Sequence, residues 1–451
     1  MSSPVKDPAS FRDPSGFIFS YDGLIYRQVN LVYRTHYEQL MRGGLYRELV
    51  AREWLIPHDV VELPLSHPEA YIYLKPEQVP FISYPYEWSF DMLKDAALLT
   101  LNIAVAALKY GMTLKDASAY NVQYHKGKMT FIDTLSFEIW DRTKPWSPYR
   151  QFCEHFLAPL ALMHHTKAPM QGMQLGYPDG IPLPLASALL PWKTKWNLHL
   201  YLHIHLNGAV KGNNTSNKKV TFTEQKMKNI LSSLEAAVSP LRLDQKGTWS
   251  DYYSEANERD GYVTNKQAIV ENWLERETCK TAFDAGANDG TFSRSLAKKG
   301  IAVLSADGDH GAVNSLYKTL KSAPAPVHPL LFDLANPSPA IGVNNTERSS
   351  LTSRLHVDLV MALAVIHHLA IGRNIPFERI AALFAGLGNT LIIEFVPKED
   401  PKVQGMLETK PDVYDWYNEG GFRSAFGKRF NFVREEKVAP SARTLFLLQR
   451  L

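Results

Sequence analysis

Several side chains in the second half of the chain have the types and the spacing of a cofactor-binding turn. Residues 281–292 are predicted to form a short apolar strand, a polar turn and the start of a helix. The residues of this turn that could contact a ligand are Asp284, Gly286, Asn288, Asp289 and Gly290. Glycines let the backbone approach a ligand closely, and the free amides at a helix start suit a carboxylate, a phosphate or a ribose. The pattern therefore predicts a site for a ligand that carries such a group.

A further acid follows at the distance expected for a ribose contact. Residues 300–307 form an apolar segment, predicted as a second strand, that ends in Asp307, 21 residues after Gly286. An acid in this position can accept hydrogen bonds from both ribose hydroxyls. Asp309 is an alternative candidate for the same contact, and either carboxylate could instead cap a helix or form a turn.

The turn differs from the G-x-G-x-x-G fingerprint of dinucleotide-binding domains and resembles motif I of the class I S-adenosylmethionine (SAM) dependent methyltransferases. The resemblance continues through residues 249–451, where five apolar strands follow in the order of that family. It implies an α/β fold, a doubly wound Rossmann-like methyltransferase domain, with SAM as the cofactor. A doubly wound domain that binds another nucleotide is the alternative. By position in the family motif, the turn residues would hold the methionine end of SAM, Asp307 its ribose and Asp333 its adenine.

Two histidines and a glutamate are the candidate catalytic residues. His367 and His368 follow the predicted fourth strand, where the resemblance places the methyl acceptor. Histidine is the natural base for a hydroxyl near neutral pH, and a base with its ordinary pKa would lose activity below about pH 6.5. A structural hydrogen bond in the loop is the alternative role. Glu394 ends the predicted fifth strand and could orient that histidine or contact the substrate, while Tyr252 and Tyr253 could close over the cofactor.

The first half of the chain contains a separate group of polar residues. Asp116 is followed by Asn121 and, at the end of a predicted strand, by Asp133. This order resembles the catalytic and metal-binding segments of the protein-kinase fold. The resemblance covers about residues 15–205 and implies that Asp116 would orient a hydroxyl, while the other two would hold magnesium.

Several parts of the kinase pattern are missing. Leu114 replaces the usual histidine two residues before the loop aspartate, and no glycine-rich phosphate loop is present. No strand lysine is obvious, and Arg27 is a poor match for its phosphate geometry. A degenerate kinase-like domain that positions substrate is therefore the alternative to active phosphate transfer.

The predicted elements place these residues in an α+β domain. Two β-type runs flank Asp22 and Gly23 and predict a hairpin. A helix interrupted by two glycines is predicted over residues 37–53, and short strands are predicted over 60–63, 70–74 and 81–84. Apolar residues at helical spacing then predict one long helix from Ser89 to about Tyr110.

These elements give a plan for the whole chain. A flexible leader is predicted at residues 1–14, a kinase-like α+β domain at 15–240 and a methyltransferase domain at 249–451. Residues 207–221 are rich in lysine, asparagine and glycine without apolar anchors, which predicts a mobile loop.

His199 and His203 share one helical face, but no third ligand is nearby; we predict packed or hydrogen-bonded histidines and no metal.

Composition excludes several classes of protein. The formal net charge is +3 and no long block of like charges occurs, so no nucleic-acid partner is expected. No apolar run is long enough for a membrane span, and the N-terminus lacks the apolar core of a secretory signal. Only two cysteines are present, which favours a reducing, cytoplasmic location. None of these features determines the oligomeric state.

Two functions are consistent with these patterns. In the first, the protein is a SAM-dependent methyltransferase that methylates a hydroxyl of a small-molecule or glycan acceptor, with the N-terminal domain positioning the substrate. In the second, it is a bifunctional kinase-methyltransferase that modifies the end of a polysaccharide or other glycan. The arrangement also resembles the rhizobial nodulation-specificity methyltransferases. A purely structural role is a third interpretation, which SAM binding would exclude.

Overall fold

The computed structural model describes residues 3–209, 222–243, 261–275, 278–408 and 410–451. Residues 210–221 of the predicted mobile loop, and the two tyrosines Tyr252 and Tyr253, lie outside the described residues. The chain divides into two compact units. The N-terminal unit is Met1–Asp244 with Ala340–Arg348, and the C-terminal unit is Gln245–Pro339 with Ser349–Leu451. No helix in the described ranges is both long and apolar enough to span a membrane.

The N-terminal unit contains an antiparallel five-stranded sheet in the order β1-β2-β3-β5-β4. Its strands are β1 (Val5–Lys6), β2 (Gly16–Tyr21), β3 (Leu24–Asn30), β4 (His58–Val61) and β5 (Ala70–Pro76). The predicted hairpin is confirmed, since β2 and β3 pair around Asp22 and Gly23, which both have positive φ angles as such tight turns require. Within the predicted leader, β1 pairs with β2 and extends the sheet.

One predicted strand of this unit is wrong. Residues 81–84 are extended but belong to no sheet. The buried side-chain amide of Gln123 takes the place of a neighbouring strand: it accepts a hydrogen bond from the backbone N–H of Ser83 and donates one to its carbonyl, both at 2.9 Å. The backbone groups are therefore satisfied without a ladder.

Helices and two small two-stranded sheets complete the N-terminal unit. The predicted long helix is confirmed as Phe90–Lys109, and the glycine pair splits the earlier helix into Arg34–Arg42 and Leu45–Ala51. One small sheet pairs β6 (Met112–Leu114) with β9 (Phe137–Ile139), and the other is a hairpin of β7 (Val122–His125) and β8 (Lys128–Phe131). The other α-helices described here are Tyr149–Phe152, Ala158–Thr166, Gln171–Gly176, Leu183–Leu189, Leu198–Leu200, Asn207–Ala209 and Glu224–Val238.

The C-terminal unit is built on a seven-stranded sheet in the order β12-β11-β10-β13-β14-β16-β15. The first five strands of that order run parallel, and β16 pairs antiparallel with both of its neighbours, β14 and β15. The strands are β10 (Thr281–Ala285), β11 (Ala302–Asp307), β12 (Val327–Leu331), β13 (Val357–Ala362), β14 (Gly388–Phe395), β15 (Phe430–Lys437) and β16 (Thr444–Arg450). This doubly wound sheet confirms the predicted Rossmann-like fold of the C-terminal half.

Helices connect the strands of this sheet. They are Tyr262–Leu274, Thr291–Lys298, His310–Ser322, Leu351–Arg354, Phe377–Leu387, Pro401–Leu407 and Glu419–Phe426. The strand order reverses between β10 and β13, because β10 continues through β11 to one edge and β13 through β14 to the other. Ligands of such sheets bind in the crevice outside the carboxyl ends of the strands at this reversal. The residues that follow β10, β11, β12 and β13 are therefore the expected ligand-binding residues of this fold.

Candidate cofactor site and catalytic residues

A cavity of about 350 Å³ lies at the carboxyl ends of these four strands. Its volume is within the range of small-molecule and cofactor sites. Four of the predicted cofactor residues line it: Gly286, Asn288, Asp307 and Asp333. The other lining residues are Lys266, Gly308, Asp309, Phe332, Leu334, Ala335, Leu363, Ala364, Val365, His368, Leu369 and Arg373.

The glycine turn is shaped by a close approach of the loop after β13. Gly286 has a φ angle of +77°, and a Cβ atom there would lie 2.5 Å from a methyl carbon of Val365. Only glycine avoids both the strained backbone and the clash. Asn288 and Ala364 also have positive φ angles, of 50° and 53°, and both line the cavity. The cavity wall is thus built from backbone conformations that are uncommon for residues with side chains.

Asp307 joins the end of β11 to the glycine turn. One of its carboxylate oxygens accepts a hydrogen bond from the backbone N–H of Asn288 at 2.8 Å, and the other from that of Asp309 at 2.7 Å. Burial raises the pKa of Asp307, and these backbone bonds oppose the rise. Each oxygen retains a lone pair, so the carboxylate can accept further hydrogen bonds from a ligand in the cavity.

The competing candidate, Asp309, has a different role in the structure. Its carboxylate accepts hydrogen bonds from the backbone N–H groups of Gly311 and Ala312, at 2.8 and 3.1 Å, and caps the helix His310–Ser322. This is the N-cap role that short acidic side chains often have. The geometry therefore favours Asp307 over Asp309 for a ribose.

Three of the predicted turn residues lie behind the cavity rather than on its wall. Asp284 is buried, and its carboxylate accepts a hydrogen bond from the hydroxyl of Ser293 at 2.6 Å. Burial raises the pKa of Asp284 to about 7. Asp289 accepts hydrogen bonds from the backbone and side chain of Thr291, and Gly290 provides the left-handed N-cap of the helix Thr291–Lys298. These residues shape the turn.

Asp333 follows β12 at the opposite side of the cavity. Its carboxylate is half-exposed and forms an ion pair with Arg373 at 3.3 Å. Phe332 beside it is buried and lines the same wall with Leu334 and Leu369. An apolar wall next to a carboxylate suits a flat heterocycle that carries an amino group.

The two candidate histidines differ in their access to the cavity. His368 lines it, whereas His367 does not and is 2% exposed. The two rings lie 4.1 Å apart between centroids. Burial lowers the pKa of His368 to about 4 and holds that of His367 well below its ordinary value, so both rings are neutral at physiological pH. The expectation of an ordinary histidine pKa is therefore wrong.

Glu394 lies in a buried polar network and does not line the cavity. Its carboxylate is fully buried, forms an ion pair with Lys266 at 3.1 Å and accepts a hydrogen bond from the hydroxyl of Tyr262. Arg443 donates to the same hydroxyl at 2.8 Å and forms an ion pair with Asp400. Burial alone would raise the pKa of Glu394, but the two cations lower it, so the carboxylate is ionised. This network supports the floor of the site.

Lys266 and Arg373 are the charged cavity residues that the sequence interpretation missed. Lys266 is 2% exposed, yet it lines the cavity and donates to Glu394 and to Tyr262. A signal was present in the sequence, because this lysine lies on the apolar face of its helix with Ile269 and Val270. A charged side chain on such a face must be paired when it is buried. No comparable signal marks Arg373.

In the N-terminal unit, the structure brings Asp116, Asn121 and Asp133 together. The side-chain amide of Asn121 donates to the hydroxyl of Ser136 at 3.1 Å, and that hydroxyl donates to Asp133. Burial raises the pKa of Asp116, and a hydrogen bond from Asn121 opposes the rise. The three residues thus form one connected polar cluster.

Asp133 forms an ion pair with a side chain of the same unit, Arg27. A guanidinium nitrogen of Arg27, on β3, lies 2.6 Å from one carboxylate oxygen of Asp133, and both side chains are mostly buried. The other oxygen accepts the hydrogen bond from Ser136. Within the described ranges, no group of three or more histidine, cysteine or acidic side chains is placed to hold a metal. The predicted magnesium ligand Asp133 therefore forms a salt bridge with Arg27.

Residues Ala340–Arg348, which follow β12 in sequence, belong to the N-terminal unit. Glu347 binds the guanidinium of Arg12 through two hydrogen bonds, at 2.5 and 2.8 Å. The guanidinium of Arg348 lies 4.2 Å from the ring centroid of Tyr120, directly before the predicted metal ligand Asn121. This arginine therefore contacts the residue that precedes Asn121 in sequence.

Comparisons with known proteins identify the family of the chain. No protein-family model matches the sequence. The nodulation protein NoeA of Rhizobium meliloti (strain 1021) is 31% identical over 461 residues, covering 99% of this chain and 96% of that protein. The chain belongs to the NoeA family.

Three solved structures show partial similarity to the chain. WbdD is 20% identical, with a TM-score of 0.30, over 43% of this chain and 40% of its own. Magnesium protoporphyrin IX methyltransferase (ChlM) from Synechocystis PCC 6803 is 20% identical, with a TM-score of 0.31, over 42% of this chain and 84% of its own. The N-methyltransferase NodS from Bradyrhizobium japonicum WM9 is 10% identical, with a TM-score of 0.33, over 42% of this chain and 97% of its own. Each match covers less than half of this NoeA-family protein.

Proposed function

We propose that this NoeA-family protein is a SAM-dependent methyltransferase that acts on a hydroxyl of a small molecule or glycan in the cytoplasm. The observation that carries the proposal is the position of Asp307. This acid ends β11 beside the glycine turn and faces a cavity of cofactor size at the strand reversal. The small number of cysteines in the sequence, Cys153 and Cys279, agrees with a reducing compartment.

The residues around the cavity fit SAM. Asp307 would accept the ribose hydroxyls, and the wall of Phe332 with the carboxylate of Asp333 would receive the adenine. Gly286 leaves space that a Cβ atom would fill, and Lys266 supplies a buried cation close to the turn. When bound, SAM supplies an electrophilic methyl group. The chain itself contributes orientation and the exclusion of water, which can provide much of the acceleration of such a displacement.

His368 is the best-placed group to accept the proton of a hydroxyl acceptor. It lines the cavity at the loop after β13. Its lowered pKa keeps the ring in the neutral form that a base requires. His367 and Glu394 are assigned supporting roles, because neither lines the cavity. His367 contacts the ring of His368, and Glu394 neutralises Lys266 beneath the site.

The alternative is a bifunctional kinase-methyltransferase that modifies a glycan end. The cluster of Asp116, Asn121 and Asp133 favours it, but the Arg27 salt bridge to Asp133 opposes the binding of magnesium. We therefore assign the N-terminal unit a role in holding the acceptor.

Replacing Asp307 with alanine tests the cofactor assignment. We expect SAM affinity to fall by about 1.5–3 kcal/mol, the scale of hydrogen bonds to a charged group. Isothermal titration calorimetry with SAM measures the change. Asp309→Ala is the matched control, since loss of a helix cap should lower stability by about 1 kcal/mol while leaving SAM affinity nearly unchanged. Equal affinity in wild type and folded Asp307→Ala would contradict the assignment.

The N-terminal unit is expected to show weak or absent magnesium-dependent ATP hydrolysis, because Arg27 forms a salt bridge with the carboxylate of Asp133. A phosphate-release assay with magnesium and ATP measures this. Robust hydrolysis that disappears in Asp133→Ala, but persists in Asp307→Ala, a variant of the C-terminal unit, would instead establish the bifunctional alternative.

A further inference from the structure

Five large apolar side chains are exposed on one stretch of the N-terminal unit, and they define what we call the Trp–Leu surface. Its members are Trp192, Trp196, Leu198, Leu202 and Leu206. The two tryptophans are 72% and 81% exposed, and Leu198 is 64% exposed. Single exposed apolar residues are normal, but five of them within residues 192–206 indicate an interaction surface.

The exposure of the tryptophans follows from the way their segment is anchored. Residues Trp192–Trp196 form a 3-10 helix whose middle residue, Thr194, is buried. Its hydroxyl donates to the carbonyl of Pro191 at 2.6 Å and lies 2.8 Å from the Nε2 atom of His205. With Thr194 held inward, the residues on either side of it are directed outward.

The next helical residues bury two histidines together with Leu200 and Ile204 and leave three leucines exposed. Leu198, Leu202 and Leu206 recur every four residues on the exposed side, whereas His203 and His205 are buried. The histidines have partners inside: His203 lies 2.8 Å from the hydroxyl of Ser233, and His205 contacts Ser187 and Thr194. His199 also lies 3.1 Å from the Ser233 hydroxyl, so the predicted hydrogen bonds of His199 and His203 are confirmed, and the leucines form the outer face.

The charged side chains between Trp192 and Leu206 are lysines. Lys193 and Lys195 alternate with the two tryptophans and are exposed. The sequence contains five lysines and no acidic residue between Asp179 and Glu224. Tryptophan is enriched where proteins meet the membrane–water interface, and lysines near it are attracted to anionic lipids.

We propose that the Trp–Leu surface binds the surface of an anionic phospholipid bilayer. The tryptophans and leucines would enter the boundary between head groups and acyl chains, while Lys193 and Lys195 contact the head groups. The charge pattern favours this occupant over a second copy of the chain, because two copies would bring the same lysines together and the segment itself contains no acid to pair them. The protein would then act on acceptors held near a membrane.

Vesicle flotation with the full-length protein tests the proposal. One set of vesicles is phosphatidylcholine alone, and the other contains an equal share of phosphatidylglycerol. We expect binding to the anionic vesicles that salt weakens, with little binding to the neutral ones. Trp192→Ser combined with Trp196→Ser should weaken binding by roughly tenfold or more, given the apolar area removed. Lys193→Glu combined with Lys195→Glu should weaken it by about fivefold or more per lysine.

Two matched controls make the result specific. Phe11→Ser removes another exposed aromatic side chain of the same unit, and Lys318→Glu with Lys321→Glu reverses two exposed charges in the C-terminal unit. Both should bind the anionic vesicles as the wild type does. The lysine variant keeps the test decisive if the serine variant fails to fold. Absence of vesicle binding, equal losses in the controls, or self-association in sedimentation that the serine variant abolishes would overturn the proposal.

Discussion

Replacing Lys266 with methionine is expected to lower the free energy of unfolding by about 3–5 kcal/mol, the cost of leaving a buried charge without its partner. Glu394 is fully buried, and Lys266 is its nearest cation at 3.1 Å. The remaining cation, Arg443, lies 4.0 Å from Glu394 and is already paired with Asp400. Arg443 therefore compensates only in part. Urea denaturation monitored by circular dichroism measures the loss.

The double variant Lys266→Met with Glu394→Gln distinguishes a charge effect from a packing effect. Removing both charges should recover much of the lost stability, because no uncompensated ion remains. Lys298→Met, an exposed lysine of the same unit, should change stability by less than about 0.5 kcal/mol. If the double variant were as unstable as the sum of the two single variants, the ion pair would have no energetic coupling.

Replacing His368 with alanine is expected to reduce turnover about a hundredfold while leaving SAM affinity nearly intact. General bases contribute roughly 10²–10⁴-fold, and the lower end applies because a base with a pKa of about 4 is weak. The measurement is single-turnover methylation once an acceptor has been found. His356→Ala, which removes an exposed histidine of the same unit, is the control. Full activity in His368→Ala would leave proximity as the source of catalysis.

The pH profile provides an independent check on His368. A base acts in its neutral form, and burial lowers the pKa of His368 to about 4. The ring therefore stays neutral as pH falls from 8 to about 5, and its protonation reduces the rate only as pH approaches 4. We expect a flat profile through the neutral range. A fall centred near pH 6.5, as for an exposed histidine, would show that the ring is solvated during turnover.

The amino-acid sequence by itself predicted the doubly wound fold of the C-terminal half and the acid that we propose as the ribose ligand. These features are local: a strand, a glycine turn, a helix and a second strand ending in Asp307 lie within one continuous segment, and their order in the chain sets their order in the sheet. Gly286 was identifiable for the same reason, since a turn of this kind requires a left-handed residue. The β2–β3 hairpin was equally local, because its turn residues specify it.

Only the tertiary structure decided which side chains face the cavity. Asp284 and Asp289 have the same chemistry as Asp307, but their hydrogen bonds to Ser293 and Thr291 commit them to the turn. Lys266 became a cavity residue only because its helix packs against the strands that carry Glu394. The pKa of His368 likewise depends on burial by residues distant in sequence. Sequence specifies residue types and periodicity, whereas burial and partner choice arise from contacts between remote segments, and these contacts determine charge state and access.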